Sequence, residues 1–168
     1  NRLGARLAVG HLLARGHRRI AIFTGELSLM SSRDRIQGWR DALREAKVPA
    51  PRHYIQTGDW TTETAHAQMC ALLAGPRPPT AVFASSFPIL HGLLAALREK
   101  GLRVPADMEV MSTDDAEWLD VFEPRISVVL QPSREMGHAA ARLLIQRLDQ
   151  PGGAPQAIVL RPTLKLRG

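Results

Sequence analysis

The sequence predicts an α/β domain built on an open parallel sheet with helices on both faces, a three-layer sandwich. Apolar runs of four or five residues, such as residues 20–23 and 80–84, alternate along the chain with helical patterns of ten or more. These runs are not interrupted by polar residues at every second position, which is the pattern of strands buried on both faces. The chain has 168 residues, 45% of them hydrophobic and 23% charged, enough to enclose one core. No apolar run approaches the roughly 20 residues of a membrane span.

Each element has its own local signal. Leu3, Leu7, Ala8 and Leu12 fall on one helical face, and Gly16 supplies the residue favoured just past a last turn. Residues 20–23 then read as a buried strand ending at Thr24-Gly25, with a loop over 26–31. Ser32 is placed to cap a helix running to Ala46, striped by Ile36, Trp39 and Leu43, with Pro49 and Pro51 beyond its end. Tyr54-Ile55 is a weak strand, residues 58–60 a turn, and Thr61 or Thr62 an N-cap for a helix bearing Ala65, Met69, Leu72 and Leu73. Residues 80–84 form the next strand, and Pro88 opens a helix with Ile89, Leu93 and Leu97 on its core face and Gly101 at its end. On that helix Leu90 and Leu94 lie off the core stripe and are expected to form part of a dimer face. Strands follow at 109–111 and 126–130, a helix at 133–148, and a last strand at 157–160 after the Pro151-Gly152-Gly153 turn.

Composition excludes several function classes. The net charge is +6 with a pI near 10.6, but Lys and Arg are scattered in pairs such as Arg18-Arg19, never in a basic run interleaved with aromatics. Solvated helix faces account for that charge better than a nucleic-acid surface does. The single cysteine, Cys70, rules out an internal disulfide framework and any CxxC site, and its helical pattern reads as a small buried hydrophobe. The six histidines show no metal-ligand spacing with a supporting carboxylate, so no metal is expected; His17 reads as a helix-end residue that meets free carbonyls. No nucleophile elbow, phosphate loop, dinucleotide fingerprint or H-E-x-x-H motif is present, and neither catalysis nor a cofactor is expected. The amino end begins mid-pattern without a signal peptide's order, so the chain reads as part of something longer.

In open parallel sheets ligands bind off the carboxyl ends of the strands, which directs attention to residues 24–32, 58–60, 85–87 and 113–115. Arg33 and Arg35 stand in the first turns of a helix, where partial positive charge already resides; one of them either pairs with a carboxylate or reaches a ligand. Trp60 offers a flat apolar face suited to a sugar or nucleobase ring, or covers the edge of the sheet. Asp114 and Asp115, adjacent on an extended segment, would point in opposite directions, so that one faces the pocket and accepts hydroxyls.

Three segments in order, residues 12–21 (LLARGHRRIA), 32–39 (SRDRIQGW) and 101–107 (GLRVPAD), resemble the lactose-repressor/galactose-repressor family of bacterial transcription regulators. The similarity continues through Pro124, Gln131-Pro132 and Met136-Gly137 and covers nearly the whole chain. It implies a periplasmic-binding-protein-like fold of type I, of which residues 1–128 would be the C-terminal effector-binding subdomain. Residues 129–168 would supply the crossover, a helix belonging to the other subdomain, and a return strand near Ile158. The resemblance further implies a cytoplasmic homodimer without membrane contact that reaches operator DNA only through an N-terminal head outside this chain.

By the same resemblance the small-molecule effector, a sugar or related metabolite, would be held by Arg35, Trp60, Ser85, Asp114 and Gln131. Two places depart from the family pattern. Residues 84–88 read Ala-Ser-Ser-Phe-Pro where the family usually has Ala-Ser-Asn-Asp, and Ser112-Thr113 replace the usual glycine before the Asp pair. The first change removes a two-way amide from the pocket and alters the following helix cap. A periplasmic sugar-binding protein of a transport system shares the architecture; an upstream helix-turn-helix or signal peptide would distinguish the two.

Overall fold

The computed structural model describes residues 1–167. In chain order the elements are α1 (Arg2–Ala14), β1 (Ile20–Thr24), α2 (Met30–Glu45), β2 (Ile55–Thr57), α3 (Thr62–Leu73), β3 (Ala81–Ala84), α4 (Phe87–Glu99), β4 (Glu109–Thr113), β5 (Ser127–Leu130), α5 (Ser133–Asp149) and β6 (Thr163–Lys165), with short 3-10 turns at Arg52–Tyr54 and Glu117–Asp120. The strands form one sheet in the order β2-β1-β3-β4-β5-β6, parallel throughout except for the antiparallel pair β5–β6. α1 packs on α2 and α3 on α4, one pair on each face of the sheet. β1, β3 and β4 are buried along their whole length, as their unbroken apolar runs require. Trp39 is wholly enclosed beneath α2 and satisfies its indole N–H on the Ile20 carbonyl at 3.0 Å.

The two helices of the α3–α4 pair approach closely at Gly92, where an added Cβ would stand 2.4 Å from the Thr62 carbonyl oxygen. Gly16 and Gly101 take positive φ just past the ends of α1 and α4, as expected of helix-terminating glycines.

Four expectations are corrected. The last strand lies at Thr163–Lys165 rather than 157–160, because that segment turns back antiparallel on β5 only after Pro162. α2 starts at Met30, ahead of Ser32, and no side chain caps it; Ser32 is instead buried within the first turn. Leu90 is 1% exposed and belongs to the core, since the apolar face of α4 is wide enough to take Ile89, Leu90 and Leu93 together. His17 meets Thr80 and Glu109 side chains, while Arg18 takes the free Leu13 carbonyl. Among the described residues α5 has no buried position, and Leu144, Ile145 and Leu148 stand exposed along it.

Candidate functional site

The strand register levels three hydroxyls across the carboxyl edge of the sheet. Phe23, Ala84 and Ser112 are mutual partners across β1, β3 and β4, so Thr24, Ser85 and Thr113, each one residue further on, form the next row. All three are buried, and their hydroxyl oxygens have no hydrogen-bond partner among the described residues. Ser32, in the first turn of α2, is the same. Unpaired buried hydroxyls cost free energy of the order of 1–3 kcal/mol each, and four lie at this end of the sheet; of the four, Thr113 alone reaches the wall of the adjoining cleft.

A cleft of about 400 Å³ opens above this edge, with Arg35, Thr113 and Gln131 in its wall beside the apolar side chains of Met30, Phe83 and Val129. Arg35 makes no hydrogen bond or ion pair among the described residues and lies 5.8 Å from the centre of the Trp60 ring, over its face. Burial weakens the guanidinium's hold on its proton, and the negative charges of Asp114 and Asp34 strengthen it. Its cationic donors are therefore partly stripped of water and still uncommitted. Arg33, by contrast, is used up: it donates to the carbonyls of Leu27 and Ser28, each at 2.6 Å, and shapes the loop before α2.

Trp60 is fixed by the turn that precedes α3. Asp59 accepts from the Thr61 backbone N–H at 3.2 Å and hydroxyl at 2.7 Å, and Thr61 caps the helix by accepting from the Thr64 N–H. The residue between them takes φ 65°, and its ring lies on Gly25, where an added Cβ would fall 1.7 Å from the indole. Asp114 also takes positive φ, 70°, so the segment is a turn rather than the extended piece expected from sequence. The two carboxylates still diverge: Asp114 accepts from the Gln131 amide, and Asp115 pairs with Lys165 and Arg167.

The structure thus brings Arg35 and Gln131 together in the cleft wall, with Asp114 behind Gln131 and Trp60 next to Arg35; Asp114, Trp60 and Ser85 do not line the cleft itself. Sequence reasoning pointed to the segments containing Thr24, Ser32 and Thr113 without assigning their hydroxyls. Only the pairing register reveals that they form a row.

Residues 9–168 match the periplasmic binding protein-like domain family. The chain belongs to that family. Within it, the relatives are regulators of the lactose-repressor group. A ribose operon repressor of Haemophilus influenzae is 37% identical over 98% of this chain and 50% of its own length. A LacI-family regulatory protein from Chloroflexus aggregans superposes with a TM-score of 0.91 at 34% identity, over 99% of this chain and 60% of that one. The regulator CelR in its cellobiose complex gives 0.90 at 35% identity, over 98% of this chain and 50% of that one. This periplasmic binding protein-like chain spans about half the length of the repressors it matches. Its open, mostly parallel sheet is the family's architecture, and no helix among the described residues is long and apolar enough to cross a membrane.

Proposed function

We propose that this chain is the effector-binding and dimerising part of a DNA-binding transcription repressor that answers to a sugar or a similar polyhydroxylated metabolite. The observation behind this reading is the uncommitted Arg35 sharing a cleft wall with Thr113 and Gln131, beside the Asp114–Gln131 pair and at the end of the row of unpartnered hydroxyls on Thr24, Ser85 and Thr113. A polyol offers several hydroxyls, each able to donate and accept, and meets such a surface with few groups left unpaired. Asp114 would accept effector hydroxyls, Arg35 donate to them, Gln131 do either, and Trp60 cover an apolar ring face beside Arg35. We read the site as one of binding rather than catalysis, in keeping with relatives that are repressors.

In this reading residues 1–128 are the C-terminal effector-binding subdomain. α5, with its exposed apolar side chains, packs in the other subdomain, and β6 returns the chain to this sheet. An effector in the cleft would favour one closure of the two subdomains and so set the spacing of DNA-binding heads in a cytoplasmic homodimer. That requires unequal affinity for the two closures, since a ligand binding both alike shifts neither. The dimer face would include Leu94 of α4, which borders an apolar groove with Leu102, Val104 and Phe122.

Thermal-shift screening of sugars, nucleobases and sugar phosphates against the full-length protein tests the reading. A true effector at about 100 times its Kd adds about 2.7 kcal/mol of stability. Arg35→Ala and Asp114→Asn should each lower the affinity at least tenfold; unchanged affinity in both would remove the site assignment.

A further inference from the structure

On the flank of α3 that faces α4, His66 and Cys70 stand one helical turn apart and so project from the same face. Glu99, from the last turn of α4, meets them there, brought alongside by the close α3–α4 packing that Gly92 permits. His66 Nε2 lies 2.9 Å from Glu99 Oε2 and 3.9 Å from Cys70 Sγ, and the three ligand atoms all fall within 4.8 Å of one another. We propose that His66, Cys70 and Glu99 form a three-ligand site for a zinc-class divalent cation on the outer surface of the α3–α4 pair.

The donor set suits such a cation. Thiolate and imidazole favour zinc and its neighbours, whereas magnesium and calcium require oxygen ligands throughout. Tetrahedral zinc, with bonds of about 2.0–2.3 Å, holds its donors roughly 3.3–3.7 Å apart, a spacing that the observed separations straddle. Small side-chain rotations would therefore close the site, with solvent at the fourth position because His66 and Cys70 are only half-buried and Glu99 is exposed.

Binding exchanges protons for metal. The proton shared between His66 Nε2 and Glu99 leaves, so that neutral His66 keeps its hydrogen on Nδ1, and the Cys70 thiol gives up its own. Lys100 donates to the other Glu99 oxygen, Oε1, at 2.9 Å and leaves Oε2 facing His66. The site is separate from the cleft and does not depend on the function proposed above.

The test uses untagged full-length protein titrated with Zn²⁺ by calorimetry and with Co²⁺ by absorption. The expected result is one Cys70-dependent ion per chain, a thiolate-to-cobalt charge-transfer band with tetrahedral d–d bands, and zinc protection of Cys70 from alkylation. Cys70→Ser should abolish the charge-transfer band and protection, and His66→Gln should weaken binding at least tenfold, with metal-free Tm and circular dichroism unchanged in both. A cobalt spectrum without the thiolate band, or zinc affinity unchanged in Cys70→Ser, would overturn the proposal, the ion then being adventitious. Should Cys70→Ser fail to fold, His66→Gln decides by the same readouts.

Discussion

Two residues of the candidate site, Trp60 and Asp114, hold a backbone conformation that L-residues with a Cβ avoid, at a cost of the order of 1–2 kcal/mol each. In both cases the conformation aims a side chain at the carboxyl edge of the sheet. Trp60 reaches its place because Gly25 has no side chain. Gly25→Ala is therefore expected to displace the indole and weaken effector binding about fivefold, roughly 1 kcal/mol, as Trp60→Ala should. Binding titrations of both variants, with circular dichroism to confirm the fold, check this. Asp114→Asn should leave Tm nearly unchanged, because Asn tolerates left-handed backbone, which separates its effect on binding from one on folding.

At the scale of elements, α3 and α4 are each capped by a hydroxyl, but unequally. Thr61 accepts from Thr64 N–H at 3.2 Å and is itself held by Asp59, while Ser86 accepts from Ile89 N–H at 3.5 Å. Thr61→Ala should cost about 1 kcal/mol and Ser86→Ala less, measurable by urea denaturation. The bonds from Thr61 and Thr64 hold the Asp59 carboxyl below its usual range, so this turn keeps its charge into mild acid. Gly92→Ala should cost more, about 1–3 kcal/mol, because the added methyl meets the Thr62 backbone rather than a side chain able to swing away. It should also separate His66 from Glu99, so cobalt binding in this variant gives a second reading of the metal site.

For the whole molecule, the join between β6 and the body of the domain rests on an ionic clasp. Lys165 and Arg167 reach back to Asp115 and Asp120, and the Arg167 side chain is 5% exposed. Burial pushes the Asp115 carboxyl up, but hydrogen bonds from Lys165 and Arg167 and their charges prevail and hold it below the ordinary value; Asp120 is lowered by the same two partners. A carboxyl depressed by folding stabilises above its unfolded pKa of about 4, and that stability is lost as pH falls through the lower folded value. Tm should therefore drop steeply below about pH 4. Asp115→Asn should lower Tm at pH 7, by the equivalent of about 2–3 kcal/mol for a buried cation left short of a partner, and flatten the acid decline.

The sequence alone determined the α/β class, the order and most boundaries of α1 through β5, and the edge of the sheet where a site would lie. Those features depend on periodicity and turn chemistry within a few residues, which remain legible in one dimension. Trp60 and Asp114 were legible because each follows a strand, whereas charge placement left Arg33 and Arg35 open and only the family resemblance pointed to Arg35. The tertiary structure decided what arises between segments far apart in the chain. The pairing register makes a row of Thr24, Ser85 and Thr113, and the antiparallel return places β6 at Thr163–Lys165 instead of 157–160. The breadth of the α4 core face takes Leu90 inside, and the α3–α4 crossing sets Glu99 against His66 and Cys70, whose spacing by itself lacks the carboxylate a metal site needs. Periodicity shows which face of a helix is buried, but side chains 30 residues apart meet only where packing distance and crossing geometry put them.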